Sequence, residues 1–147
     1  MATTKIVIPA KGQSERVDSK NLYKLNGKSL VFRACEKVLS CKMIDEVFID
    51  TESDEIIEDV KDLFNRGLKL IRRPDSMASN KTSGNDLVVF EKDFVGECDL
   101  FVHTYATSPM LTTETIDGCI EKFIENWESY DSFFSASLLH EYIWDDS

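Results

Sequence analysis

The chain has 147 residues and sets 27 Asp plus Glu against 17 Lys plus Arg, a formal net charge of −10. That length suits a single domain spanning 1–147 with a buried core, and 42% hydrophobic residues with only 6 Gly and 3 Pro exclude a disordered tail or a fibrous repeat. The acidic balance excludes nucleic acid as the main partner, because affinity for a phosphate backbone rests on clustered Lys and Arg. Any bound anion must therefore meet a local basic patch.

In chain order, Lys5-Ile-Val-Ile-Pro9 reads as a buried strand running into a polar loop, Ala10 to Asn21. From Ser29 the positions Leu30, Ala34 and Val38 recur at helical spacing, and Glu46-Val-Phe-Ile-Asp50 follows as a second strand. Ser53 is placed to cap a further helix with Asp54 and Glu55 in its first turn, the stripe Ile56, Ile57, Val60, Leu63, Phe64, and Gly67 as its stop. Leu68-Lys-Leu-Ile71 is a third strand, then a polar segment leads to a helix with the stripe Leu87, Phe90, Phe94. Leu100-Phe-Val-His103 is a fourth strand, and Ile116, Cys119, Ile120, Phe123, Ile124 and Trp127 make a clean helical stripe. Asp131 to Leu138 reads as a fifth strand. Strands alternating with helices of this length predict an α/β, Rossmann-like, mainly parallel sheet with right-handed crossovers and helices on both faces.

The four cysteines, Cys35, Cys41, Cys98 and Cys119, have no CxxC spacing and only two His to join them, which does not suit zinc. Cys35 and Cys119 fall on apolar stripes, as small buried thiols do, and a reducing cytoplasm fits. No window approaches the roughly 18 apolar residues of a membrane span, and the N-terminus lacks a long apolar run, so a soluble, untargeted protein is expected.

Ligands of such sheets bind at the carboxyl ends of the strands, so the loops there carry the information. The first, Pro9-Ala-Lys-Gly-Gln-Ser-Glu-Arg-Val-Asp-Ser-Lys-Asn21, holds Lys11, Arg16 and Lys20 in an otherwise acidic chain. Gly12 and Ser14 allow backbone N–H groups to curl around one point, and cations about such a nest suit a polyphosphate. A solvated loop with chance cations is the other reading. The loop lacks both GxxxxGK[ST] and GxGxxG. His103 ends an apolar strand, where a hydrogen-bonded side chain is the ordinary role and a catalytic base the rarer one.

The opening motif resembles that of the acylneuraminate cytidylyltransferases, which make CMP-activated acidic sugars such as CMP-sialic acid. Pro9, Ala10, Gly12, Ser14, Arg16, Lys20 and Asn21 match their Pro-Ala-Arg-Gly-Gly-Ser-Lys-Arg followed by Lys-Asn, with Lys11 for the first Arg and Glu15 for a Lys. Leu25, Gly27, Lys28, Ser29 and Leu30 are similar to the family's Leu-x-Gly-Lys-Pro-Leu, and Asp50-Thr-Glu-Ser-Asp-Glu-Ile56 to its Ser-Thr-Asp-Asp-Glu-Glu-Ile. Arg73 to Ser83 resembles the segment that helps hold cytidine, with Asn80 in place of an Asp. Thr107-Ser-Pro109 is similar to the core of Gln-Pro-Thr-Ser-Pro-Leu, with Tyr105 and Ala106 where Gln and Pro are usual. An acidic metal ligand of the related Kdo-activating branch is replaced here by Thr107 and Ser108, which favours the sialic type.

The resemblance implies a nucleotide-diphospho-sugar transferase-like fold and a cytidylyltransferase moving CMP from CTP to an acidic 2-keto-3-deoxy sugar, with release of pyrophosphate. It implies Lys20 at the α-phosphate and Arg16 with Lys11 at the β- and γ-phosphates. Ala10, Gly12, Ser14, Asn21, Arg73, Ser83, Thr107 and Ser108 are implied in binding substrate. Mg²⁺ is implied as cofactor, with no protein ligand identified; Asp145 and Asp146, adjacent at the end of the sequence, read as solvated charges. The later segment of the family, with its metal-binding carboxylates and dimer-forming arm, has no counterpart here, so slow turnover is expected. The alternatives are a truncated, non-catalytic nucleotide-binding protein and a fragment completed by another chain. Phe133, Phe134, Tyr142 and Trp144 read as core packing or as a surface for a homodimer.

Overall fold

In the computed structural model the described residues are 2–13, 17, 19–79, 81–136 and 138. The β-branched opening run forms β1 (Thr4–Pro9), and strand alternation sends Ile6 and Ile8 to one side of the sheet and Val7 to the other. A small antiparallel hairpin, β2 (Lys24–Leu25) with β3 (Lys28–Ser29), leads into α1 (Leu30–Val38). Ser29 caps that helix by accepting the Phe32 N–H at 3.0 Å, and its hydroxyl donates to Asp59. β4 (Glu46–Thr51), β5 (Leu68–Arg72) and β6 (Leu100–His103) complete a four-stranded parallel sheet in the order β5-β4-β1-β6.

α1, α2 (Asp54–Asp59), α3 (Lys61–Phe64) and α5 (Thr113–Ile124) cover one face, where Ile6, Ile8, Val31, Cys35, Ile56, Leu63, Ile116 and Ile120 form the main core. α4 (Gly84–Val95) covers the other, over Val7, Phe48 and Ile71. β1 to β4 to β5 steps one way across the sheet and β5 to β6 steps back. Putting the return helix on the opposite face is what a constant crossover hand requires. The predicted α/β class with helices on both faces is thus what the chain forms. All four cysteines are free; burial pushes the Cys35 thiol up and keeps it an inert packing group. No helix among the described residues is long and apolar enough to cross a membrane.

Four expectations need correction. The simplest concerns Trp127, which lies beyond the end of α5 and is 45% exposed rather than on its buried stripe. The fifth strand, Asp131 to Leu138, does not form among the described residues: 131–136 are irregular and exposed. A strand needs a partner edge, and with Phe133 and Phe134 adjacent, alternation leaves one of them facing solvent in any strand; Phe134 is 84% exposed. The helix capped by Ser53 is broken at Val60, whose φ of −98 and ψ of 6 separate α2 from α3 while Ile56, Val60, Leu63 and Phe64 of the apolar stripe stay packed. Gly67 ends it as expected, with φ +100. On α4 the predicted stripe is rotated, since Phe94 is 54% exposed and the buried positions are Glu91 and Val95.

Rotation of that stripe gives a direct expectation. Val95→Ala should cost about 1–3 kcal/mol in denaturant unfolding, and Phe94→Ala less than about 0.5 kcal/mol. The reverse ranking would restore the stripe read from the sequence.

Candidate functional site

Because β4 and β5 lie to one side of β1 and β6 to the other, the loops leaving β1 and β6 diverge and open a crevice at the carboxyl ends of the strands. An open cleft of about 500 Å³ lies there. Pro9, Lys11, Gln13, Lys20 and Asn21 line it from the first loop, and Tyr105, Ala106 and Thr107 from the loop after β6. The segment after β5 adds Arg73, Met77, Ala78, Ser79, Thr82 and Ser83, and the start of α4 adds Gly84 and Leu87.

The first loop is held by backbone contacts. Buried Ala10 donates its N–H to the Asp50 carbonyl at 2.8 Å, and the Gly12 N–H donates to Glu52 Oε1 at 2.8 Å. A Cβ on Gly12 would come within 2.7 Å of Ser53 Cβ, so only glycine lets the loop pass this close to the cap of α2. Buried Asn21 donates its side-chain amide to the Lys11 carbonyl at 2.9 Å, joining the two ends of the loop. Lys11 and Lys20 both face the cleft, and the Lys20 ammonium has no ion pair with a described residue. Ser14 and Arg16 lie outside the described residues, as do Asn80, His140, Tyr142, Trp144, Asp145 and Asp146.

The second loop leaves β5 at Arg73, which is only 5% exposed. Its Nε and Nη2 both donate to Asp50 Oδ2, at 2.9 and 2.6 Å, and Nη2 also reaches the Asp50 carbonyl at 3.3 Å. Beside this pair, under α4, Glu91 Oε2 is 2.7 Å from His103 Nε2. Burial pushes the Asp50 carboxyl up to about 7 against the hydrogen bonds from Arg73, and the Glu91 carboxyl within hydrogen-bonding reach adds to the rise. Ser83, assigned to nucleotide binding by the sequence, also caps α4. It accepts the Asp86 N–H at 3.1 Å and donates its hydroxyl to Asp86 Oδ2 at 2.7 Å.

In the third loop Thr107 lines the cleft, whereas exposed Ser108 stands outside the lining. The Tyr105 ring meets His103 edge-on at 5.1 Å. Among the described residues no group of three or more His, Cys, Asp or Glu side chains is placed to hold a metal ion. The polar lining consists of amines, amides, hydroxyls and one guanidinium, which suits an anion and does not form a metal cage.

Of the residues singled out in the sequence, Lys11, Lys20, Asn21, Arg73, Ser83 and Thr107 thus meet at one cleft, with Ala10 and Gly12 supporting it from below. Sequence reasoning missed Gln13, Gly84 and Leu87 in the lining, and it did not join Asp50 and Glu91 to His103, whose hydrogen-bonded place at the strand end is as expected. Glu91 had a signal: Leu87, Glu91 and Val95 share one helical face, and a carboxylate between two apolar residues on that face needs a buried partner.

A family model described as cytidylyltransferase matches residues 5–142. A 3-deoxy-manno-octulosonate cytidylyltransferase from Chloroherpeton thalassium is 31% identical over 121 residues, 82% of this chain and 46% of that protein. A pseudaminic acid cytidylyltransferase from Campylobacter jejuni is 29% identical over 144 residues, 92% of this chain and 58% of the relative. The chain therefore spans about half the length of these curated relatives. The solved structure of a CMP:2-keto-3-deoxy-manno-octonic acid synthetase complexed with CTP superposes with a TM-score of 0.68 at 20% identity, covering 85% of this chain and 48% of that one.

Proposed function

The chain belongs to the cytidylyltransferase family, and from that premise we propose that it binds CTP in the cleft between the loops after β1, β5 and β6 and transfers CMP to an acidic 2-keto-3-deoxy sugar, releasing pyrophosphate. The observation that carries this reading is the convergence of two lysines, Asn21 and buried Arg73 on one crevice in a protein of net charge −10. A triphosphate meets there the local basic patch that its charge requires.

In-line attack by the sugar's anomeric hydroxyl on the α-phosphorus builds negative charge on the phosphate oxygens and the leaving pyrophosphate. Lys20, uncommitted to any described carboxylate, is our candidate for the α-phosphate, and the motif resemblance supports Lys11 for the leaving pyrophosphate. The Asn21 bond to the Lys11 carbonyl ties together the two ends of the loop from which both lysines project, which reduces the reorganisation that charge development requires. Mg²⁺ is expected to arrive bound to the triphosphate, since the described lining holds no carboxylate set for it. Relatives named for 3-deoxy-manno-octulosonate and pseudaminic acid support an acidic sugar as acceptor, and the opening motif extends the candidates to the sialic type. Tyr105, more than half exposed at the mouth, is positioned to sort among these acids.

Titration calorimetry with the four ribonucleoside triphosphates tests the reading. CTP should bind at least about tenfold more tightly than ATP or GTP, the discrimination expected where one base edge is matched and another leaves buried polar groups unpaired. Equal affinity for all four would reduce the site to a triphosphate cradle.

A further inference from the structure

The floor of the cleft at Arg73 rests on a buried polar group that the proposed reaction leaves unused. Asp50 on β4, Arg73 at the end of β5, Glu91 on α4 and His103 on β6 meet on the α4 face of the sheet, at its carboxyl end. Asp50 and Glu91 are fully buried. Asp50 Oδ1 and Glu91 Oε1 are both buried without a hydrogen-bond donor, although each residue's other oxygen is well partnered. Two carboxylate oxygens cannot satisfy one another unless a proton lies between them. The same proton settles the charge: with it, one guanidinium faces one carboxylate; without it, two buried carboxylates face one guanidinium, and an uncompensated charge sits away from water.

We propose that Glu91 and His103 are positioning residues acting through Asp50, holding with it one exchangeable proton that sets how much of the Arg73 charge an anion in the cleft experiences. His103, whose side chain is 17% exposed, is the link from this proton to solvent, through Nε2 to Glu91. Among the described residues, the charged groups on the surrounding elements include Lys11 and Lys20 across the cleft, Glu52 just past β4, which accepts the Gly12 N–H, and Lys5 and Lys69, both engaged further down the sheet by Glu46. The Tyr105 ring packs edge-on against His103. An anion arriving at Arg73 favours the protonated unit, so binding takes up a proton from solvent where the unit has lost it, and affinity falls as pH rises.

The inference rests on the proposed anion site and is tested with two probes, CTP and inorganic tripolyphosphate, on the parent chain and on Glu91→Gln. The amide keeps both contacts, donating to Asp50 and accepting from His103, but carries no titrating proton. Between about pH 6.5 and about pH 8.5 the parent should lose about tenfold more affinity than Glu91→Gln, with extra proton uptake seen by calorimetry in buffers of different ionisation heat. The probe's own protonation is common to both proteins and cancels. Identical pH dependence of the two overturns the proposal. Coupling with tripolyphosphate but no preference for CTP would sink the nucleotide reading and leave this one standing; no binding of either probe at the lower pH overturns both. Carbon-13 carboxyl spectra of the parent alone provide a check independent of the variant's folding: one carboxyl of the pair should remain protonated near about pH 6, and two ionised carboxylates there would refute the shared proton.

Discussion

Asp50→Ala is expected to destabilise the protein by about 3–5 kcal/mol, because it removes the carboxylate that accepts from both Nε and Nη2 of Arg73 and leaves that buried guanidinium without its hydrogen-bonded partner. Guanidinium cannot shed its proton in a protein, so the charge stays whatever the cost. Arg73→Ala should be distinctly milder, since the carboxyl left behind can take up a proton and become neutral. Urea unfolding near neutral pH decides the ranking; two equal losses would mean that the pair is not what the floor of the cleft depends on. Against a total stability of roughly 5–15 kcal/mol for a domain of this kind, the larger loss reaches the scale of the whole. The same pair gives a pH dependence of definite sign. A carboxyl whose folded pKa is raised binds its proton more tightly in the folded than in the unfolded chain, so its contribution is complete below the unfolded value of about 4 and is lost as pH rises through about 7. Unfolding followed across that window should show stability falling toward the alkaline side.

Lys20→Ala should weaken triphosphate binding by about 1.5–3 kcal/mol, the worth of a charge-assisted contact to phosphate, while leaving the unfolding midpoint nearly unchanged. The two halves of that expectation have one origin. Lys20 contributes its ammonium to the cleft and to no ion pair with a described residue, so the fold loses nothing that a ligand would gain. CMP, with one phosphate, should lose less than CTP when Arg16 is replaced by Ala, if that side chain sits toward the outer phosphates as the motif resemblance implies. Unchanged CTP affinity in Lys20→Ala would make the loop a solvated bystander.

What could be read from the chain and what could not divides along a physical line. The four strands of the sheet and the capped helix start at Ser53 rest on local chemistry: β-branched runs, helical periodicity, and a hydroxyl that accepts an N–H. The cleft residues were legible because their loops repeat a motif in which spacing is tied to a ligand. The misses are tertiary. Nothing between Asp54 and Phe64 announces the break at Val60, which serves the packing of Ile56 and Leu63 on one sheet rather than any local preference. The choice between Phe94 and Val95 as the buried residue depended on Glu91 turning inward to His103, a partner 12 residues further on in another element. The segment 131–138 has the apolar content of a strand, but among the described residues it pairs with neither edge of the sheet.

The central place of β1 also orders events in time. Its first residues are tied to the start of β4 over 41 residues, by the Thr4 N–H to Asp45, and to the start of β6 over 96 residues, by the Thr3 N–H to Asp99. Closing the longer stretch costs more chain entropy, and parallel pairing gains nothing until it is closed. A three-stranded nucleus of β1, β4 and β5 can therefore assemble first, carrying the two-lysine loop and Arg73, with β6 docking afterwards against a preformed edge. The crevice exists only once that last strand is in place, for Tyr105, Ala106 and Thr107 are its second wall. Partial unfolding that releases the edge strand β6 would erase the ligand site, so a bound anion would tighten the pairing of β6 with β1.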